Sequence, residues 1–343
     1  MRRFNLAQVR RHVMVYKSYV SMGVVTLACA VIACTSTTAI AQDGTLRTAD
    51  GRPNLQGVWN FSTATPMERP VELAGKETLT AEEAAEWEQQ LAIQREGLEP
   101  EAGDAQPLEA RVGYSLRIWF EWGDSLAERR TSLVVNPPNG RIPAVRPEVE
   151  ARRELTRILR GRHAYGPEDR GISERCLLGF NSGPPMTPSA YNNNVQLFQT
   201  ADHIVILNEM VHNARIVPLD GRSHLPSQLR QWVGDSRASW DDETLVVETR
   251  NFLGETSLGG SSANMHLVER FTRVSADELL YEFTITDPTS WSGPWTAQVQ
   301  MNRTDEPLYE YACHEGNYSM ASSLSGARAM EARTTATDDG AQP

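Results

Sequence analysis

Alternation of apolar and polar positions divides the chain into two halves. From residue 195 onward, short runs follow one another at 195–200, 203–211, 230–234, 244–252, 266–273, 279–287 and 296–303, closed by 309–315. They have the two-residue period of strands that bury one face, and short polar turns join most of them. Short strands at this spacing predict an antiparallel sandwich or barrel. The alternation also assigns faces. Leu279, Tyr281, Phe283 and Ile285 share one, with Leu280, Glu282, Thr284 and Thr286 opposite. Leu267, Glu269 and Phe271 oppose His266, Val268, Arg270 and Thr272. Glu209 falls with His203, against Ile204, Ile206 and Asn208. Charges thus recur within strands, either as a wet outer face or as interior groups that must pair or act.

The N-terminal half reads differently. Leu55-Gln56-Gly57-Val58-Trp59-Asn60-Phe61 is a first strand, after a polar lead-in over 42–54. Residues 78–97 form a helix. Thr80 and Glu83 make a capping box at its start, Ala84, Trp87 and Leu91 share a face, and Gly97 ends it. Residues 114–122 are a strand or a short helix, and 131–135 a strand ended by the turn Asn136-Pro137-Pro138-Asn139-Gly140. A second helix over 147–161 is rich in Arg and Glu, a solvated connector. Residues 176–188 carry too much Gly and Pro for a helix. They make either a lid beside a cavity or a stapled surface connection. Small polar residues over 321–343 predict a flexible tail.

The start of the chain marks export. Arg2, Arg3, Arg10, Arg11 and Lys17 precede an apolar stretch over 20–33 and the small-x-small site Ala39-Ile40-Ala41. This is a signal peptide cleaved after Ala41, which places the protein in the periplasm or outside the cell. The competing route is lipidation at Cys34. Losing five basic residues and no acids moves the formal charge from −11 to −16. Such a chain offers nucleic acid no basic face. No later stretch is long and apolar enough to span a bilayer. Cys176 and Cys313 remain in the mature chain, and an even pair in an exported protein reads first as a disulfide. No phosphate-binding Gly loop follows a strand, so neither a nucleotide nor another cofactor is expected. No metal-ligand spacing stands out, and Lys76 beside Glu77 is a poor Schiff-base candidate.

Acid–base chemistry is the remaining candidate. His314 lies in the cluster Cys313-His314-Glu315-Gly316, and His266 sits within a strand. Either serves as a base, with Glu209 or Glu282 as its partner. Arg237 and Arg270 are candidate anion holders, His212 lies near Glu209, and Trp240, Trp295 and Tyr311 supply aromatic walls for an apolar or aromatic metabolite.

Three resemblances bear on these readings. Gly57-x-Trp59 resembles the first-strand signature of lipocalins and other calycin barrels, which implies a lipocalin-like antiparallel barrel over 55–320 with helical and loop additions in its N-terminal half. Barrel mouths are usual ligand sites. Tyr309-Glu310-Tyr311-Ala312-Cys313-His314-Glu315-Gly316-Asn317-Tyr318, with the turns before it, resembles a group of exported bacterial proteins of unassigned role. It brings no activity with it. Gly123-Asp124-Ser125-Leu126 resembles the nucleophile block of the GDSL hydrolases. That family also uses a Gly-x-Asn-Asp block and a late Asp-x-x-His, and neither stands here. Three functions follow for testing: a small-molecule site with cofactor-free lyase or isomerase chemistry, a non-catalytic envelope binding or scaffold protein, and an esterase acting through Ser125.

Overall fold

A computed structural model describes residues 46–96, 120–256 and 258–339. The expected signal segment, Gly97, the loop 103–107 and most of the run 114–122 lie outside the described residues. Among those described, no helix is long and apolar enough to cross a membrane.

The chain is mainly β. Ten strands form one antiparallel sheet: β1 (Gly57–Asn60), β2 (Val134–Asn136), β3 (Asn194–Gln199), β4 (His203–Asn208), β5 (Ala214–Pro218), β6 (Asp235–Asp241), β7 (Thr244–Arg250), β8 (His266–Arg273), β9 (Glu278–Thr286) and β10 (Trp295–Thr304). The order β5-β4-β3-β1-β10-β9-β8-β7-β6 is two meanders joined through β1, with β2 added on β10. Short connections favour this order, because antiparallel neighbours need only a tight turn. β1 and β2 are the pieces from the other half of the chain. Val58 pairs with both Gln196 and Thr304. Gly57 enters β1 at φ +135, a backbone conformation that a side chain would strain.

On β8 and β9 the predicted faces are the observed ones, whereas Glu209, expected on the His203 face, lies past the end of β4 and is buried. Leu279, Tyr281, Phe283 and Ile285 are fully buried, as are Leu267, Glu269 and Phe271. With Trp59, Val195, Leu197, Ile204 and Ile206 they form one core. Trp59 keeps its indole N–H satisfied by donating to Leu55 O at 2.9 Å. On the other face, the hydroxyls of Thr244 and Thr272, and of Thr284 and Thr296, bond across strands at 2.8 Å.

Among the described residues the sheet is not closed, so it does not show the expected barrel. Its edge strands β5 and β6 approach within 8 Å at Cα but share no ladder. β5 ends on Pro218, which has no N–H to extend one, and an irregular stretch separates it from β6. The run 230–234 is that stretch's last turn, touching β7's end through the bridge Gln231–Phe252. The run 309–315 is not a strand either.

Three helices complete the described residues: α1 (Ala81–Glu96), α2 (Pro147–Gly161) and α3 (Tyr318–Asp339). The capping box opens α1, with Thr80 N donating to Glu83 at 2.9 Å and Glu83 N to Thr80 Oγ1 at 3.3 Å. Ala84, Trp87 and Leu91 pack on Ala64, Leu79 and Leu126. α2 buries Val149 alone. α3 replaces the expected flexible tail over 321–339. Ala and Met are good helix formers, and Arg328 docks it on Ala164 O at 2.7 Å. Cys176 and Cys313 form the disulfide.

The stretch 176–188 is neither lid nor surface connection along its whole length, since residues 181–186 are buried. Gly183 is required there: its φ is +73, and a Cβ would lie 2.5 Å from Pro185 C. Met186 N donates to Tyr281 Oη at 3.1 Å. That phenol donates to Glu269 at 2.7 Å, and Glu269 takes both ends of Arg215 at 2.6 and 2.8 Å. This buried network ties edge strand β5 and the stretch 181–186 to the centre of the sheet. Burial pushes the Tyr281 phenol well up, and the Glu269 charge pushes it further.

Candidate acid–base site

On the outer face of β6, β7 and β8, two carboxylates, two imidazoles and two arginines come together. Arg237 stands opposite Glu248 in the β6–β7 register, and Glu248 opposite Val268 in β7–β8. Glu248 is therefore diagonal to His266, within reach of long side chains on the same face. His266 Nε2 meets Glu248 Oε1 at 2.7 Å. Arg250, two residues along the same face, donates to that oxygen through Nε at 2.9 Å. The fourth piece comes from the irregular stretch after β5. It folds over β6 and brings His224 Nδ1 to Asp235 Oδ2 at 3.0 Å. His224 Nε2 then faces Glu248 Oε2 at 3.9 Å.

Three donors hold Asp235. Leu225 N donates to Oδ2 at 2.8 Å, His224 shares that oxygen, and Arg237 donates to Oδ1 at 2.6 Å. Burial alone would raise this carboxyl. The hydrogen bonds outweigh it and hold the group below the usual carboxylate range. Burial likewise opposes the Glu248 charge, and Arg250 and His266 overrule it. Ionised carboxylates only accept. The bond to Asp235 therefore puts the His224 proton on Nδ1 and leaves Nε2 as the lone-pair nitrogen. The bond to Glu248 puts the His266 proton on Nε2 and leaves Nδ1. A carboxylate that fixes a ring's tautomer and orientation is the arrangement used by general bases.

The cluster is open to solvent in part: the side chains of His266 and His224 are 34% and 21% exposed. Beside it lies a cavity of about 360 Å³ lined by His266, Arg250, Arg230, Asn251 and Asn264. Arg230 is held by Phe252 O at 3.0 Å and Ala263 O at 2.5 Å.

No protein-family model matches the chain, and no curated protein is significantly similar to it.

Of the sequence candidates, His266 and Arg237 belong to this cluster. The others stand apart. Glu282 takes a bond from Gln298 at 2.8 Å further along the outer face, and Arg270 pairs with Asp241 at 2.9 Å. Trp240 is half-buried beneath Arg52, and Trp295 is sealed in the core against Phe283 and Trp291. His314 is exposed beside the disulfide, with Tyr311 half-buried near it. Glu209 is buried past the end of β4. Its oxygens accept from Asn194 Nδ2 at 2.8 Å and Tyr309 N at 3.3 Å. Burial, then the Glu209 charge, raises the Glu121 carboxyl beside it. His212 closes the next turn in the left-handed region, at φ 52.

Alternation alone did not single out Glu248, Asp235 and His224. Glu248 and Asp235 carry the signature of any wet-face acid. His224 lies where no periodicity exists. The one local signal was Asp235-Ser236-Arg237 opening a hairpin.

Proposed function

We propose that this is an exported small-molecule enzyme that moves protons on its substrate without a cofactor, as a lyase or isomerase does. His266 is the base, Glu248 its orienting carboxylate, and His224, oriented by Asp235, the second proton-handling group. The curled sheet serves as a lipocalin-like, barrel-type scaffold whose outer rim, rather than its interior, carries the site. The carrying observation is one carboxylate set between two imidazoles, 2.7 Å from one and 3.9 Å from the other, at the edge of a cavity. A paired surface His needs no second imidazole, and the tautomer locks leave both remaining ring nitrogens free to take a proton.

Binding without turnover is the second reading, and Arg250 favours it. By sharing Glu248 with His266, it keeps that carboxylate ionised and less able to receive a proton. The esterase reading has less support. Among the described residues no imidazole contacts Ser125, and Asp124 is occupied by Arg95 at 3.3 Å.

Solvent-deuterium exchange tests the proposal. The purified protein is incubated in heavy water with a panel of small carboxylic acids bearing an activated C–H, and exchange is followed by proton NMR. At least one member is expected to exchange. The rate should fall by about 100-fold or more in His266→Ala and Glu248→Gln, the usual scale for losing a general base. Wild-type exchange rates in both variants would refute the assignment, and so would saturable binding without exchange.

A further inference from the structure

The cavity at His266 does not stand alone. Ala263 and Asn264 also line a second cavity, of about 640 Å³, with Arg146, Arg152 and Thr289. Arg152 in turn lines a third, of about 790 Å³, with Arg153, Arg157 and Arg160 on one side and the loop residues Gly260 and Ser261 on the other. Three adjoining depressions therefore run from the acid–base cluster along α2.

Their charge is unusual for this protein. The chain carries a formal net charge of −11, yet these walls carry four guanidiniums of α2, and Arg146 just before it, against the two carboxylates of Glu148 and Glu255. Two of them are neutralised locally: Arg157 by Glu154 at 2.7 Å and Arg153 by Glu150 at 3.5 Å. Arg152 and Arg160 are not. Among the described residues no carboxylate lies within ion-pair distance of either. Arg152 Nη2 is fixed by Gly260 O at 3.1 Å and Ser261 O at 3.3 Å, which leaves its other N–H groups for a ligand. The helix places the two arginines eight residues apart, or about 12 Å along its axis at 1.5 Å per residue. Guanidinium forks match carboxylate and phosphate alike. Aromatic side chains are absent from the residues lining the two Arg-rich cavities, so they offer no stacking platform for nucleobases.

We infer that the substrate is an elongated small molecule bearing two anionic groups about 12 Å apart, held by Arg152 and Arg160, with its reacting end directed toward His266. This rests on the proton-transfer reading and adds the substrate class to it.

Calorimetric titration of the full-length protein with α,ω-dicarboxylates of graded length, and with the matching bisphosphates, provides the test. Affinity should peak at one chain length, exceed that of the same-length monoanion by about 10-fold or more, and fall with added salt. The two series distinguish carboxylate from phosphate as the anion. Arg160→Ala should weaken the best dianion by about 10-fold or more, the loss expected for a charge-assisted hydrogen bond. Among the described residues the Arg160 side chain makes no hydrogen bond or ion pair and lies beside Gly171, so this variant is expected to keep its fold, with its melting curve as the check. Arg152→Ala should do the same, with its melting curve checked because it also holds the loop. Affinity independent of length, or equal for mono- and dianions, or unchanged in Arg160→Ala, would overturn the inference. Reading binding and exchange separately distinguishes the two claims. Dianion binding retained without any exchange in the wild type leaves the Arg groove standing and removes the proton-transfer reading. Exchange of monoanions, indifferent to both Arg variants, does the reverse.

Discussion

Two charged networks meet on opposite faces of β8, each built around a glutamate. On the inner face, Arg215, Glu269 and Tyr281 are almost wholly buried, and the carboxylate is saturated by three donors. On the outer face, Asp235, His224, Glu248 and His266 form a chain in which each ring keeps one nitrogen free. Glu269 and His266 belong to one strand, three residues apart. Their odd spacing sends one into the core and the other to the rim. A dry network around a fully engaged carboxylate positions strands. An unsaturated, half-wet one is able to exchange protons. Burial and spare hydrogen-bonding capacity, rather than residue type, separate the two roles.

The sharpest way to break this comparison is to remove the inner carboxylate. Glu269→Ala strands the Arg215 charge in the core and is expected to destabilise the fold by about 3–5 kcal/mol, read from urea denaturation. Replacing the whole network by apolar residues, as Arg215→Met, Glu269→Leu and Tyr281→Phe together, should lose far less. If the single and triple variants were equally destabilised, the network would be more than a matched buried pair. The equivalent cut on the outer face should behave oppositely. Glu248→Gln is expected to change stability by less than about 1 kcal/mol, because exposed pairs contribute little, while abolishing exchange.

The smallest effect is set by pH. The carboxyls of Asp235 and Glu248 are both held below their ordinary values in the folded protein. Their contribution to stability is therefore complete above the unfolded values of 3.8 and 4.5, and is lost as the pH falls through the lower folded values. Melting temperature should decline below about pH 4.5, and Asp235→Asn should flatten part of that decline. An identical acid limb in that variant would show that Asp235 is not the titrating lock.

Much of the fold was legible before any coordinates. The inward sets on β8 and β9 follow from alternation alone, α2 has the expected limits, and Thr80 and Glu83 cap α1 through the predicted reciprocal bonds. The helix over 318–339 was missed because its small polar residues resemble a tail, and its ordering comes from docking by Arg328 and Arg170. Gly and Pro over 176–188 point to a lid or a stapled surface connection, yet 181–186 is buried, where Tyr281 Oη accepts from Met186 N.

For the site, the limit is of another kind. Periodicity is a local property, so the sequence by itself determined which residues share a strand face, where α1 and α2 start and that two cysteines pair. Which strands lie side by side, that the sheet stays open, and that the irregular stretch after β5 lays His224 across Asp235 were decided only by the tertiary structure. Those contacts join residues with no periodic relation between them, through chain that has no regular pattern to read.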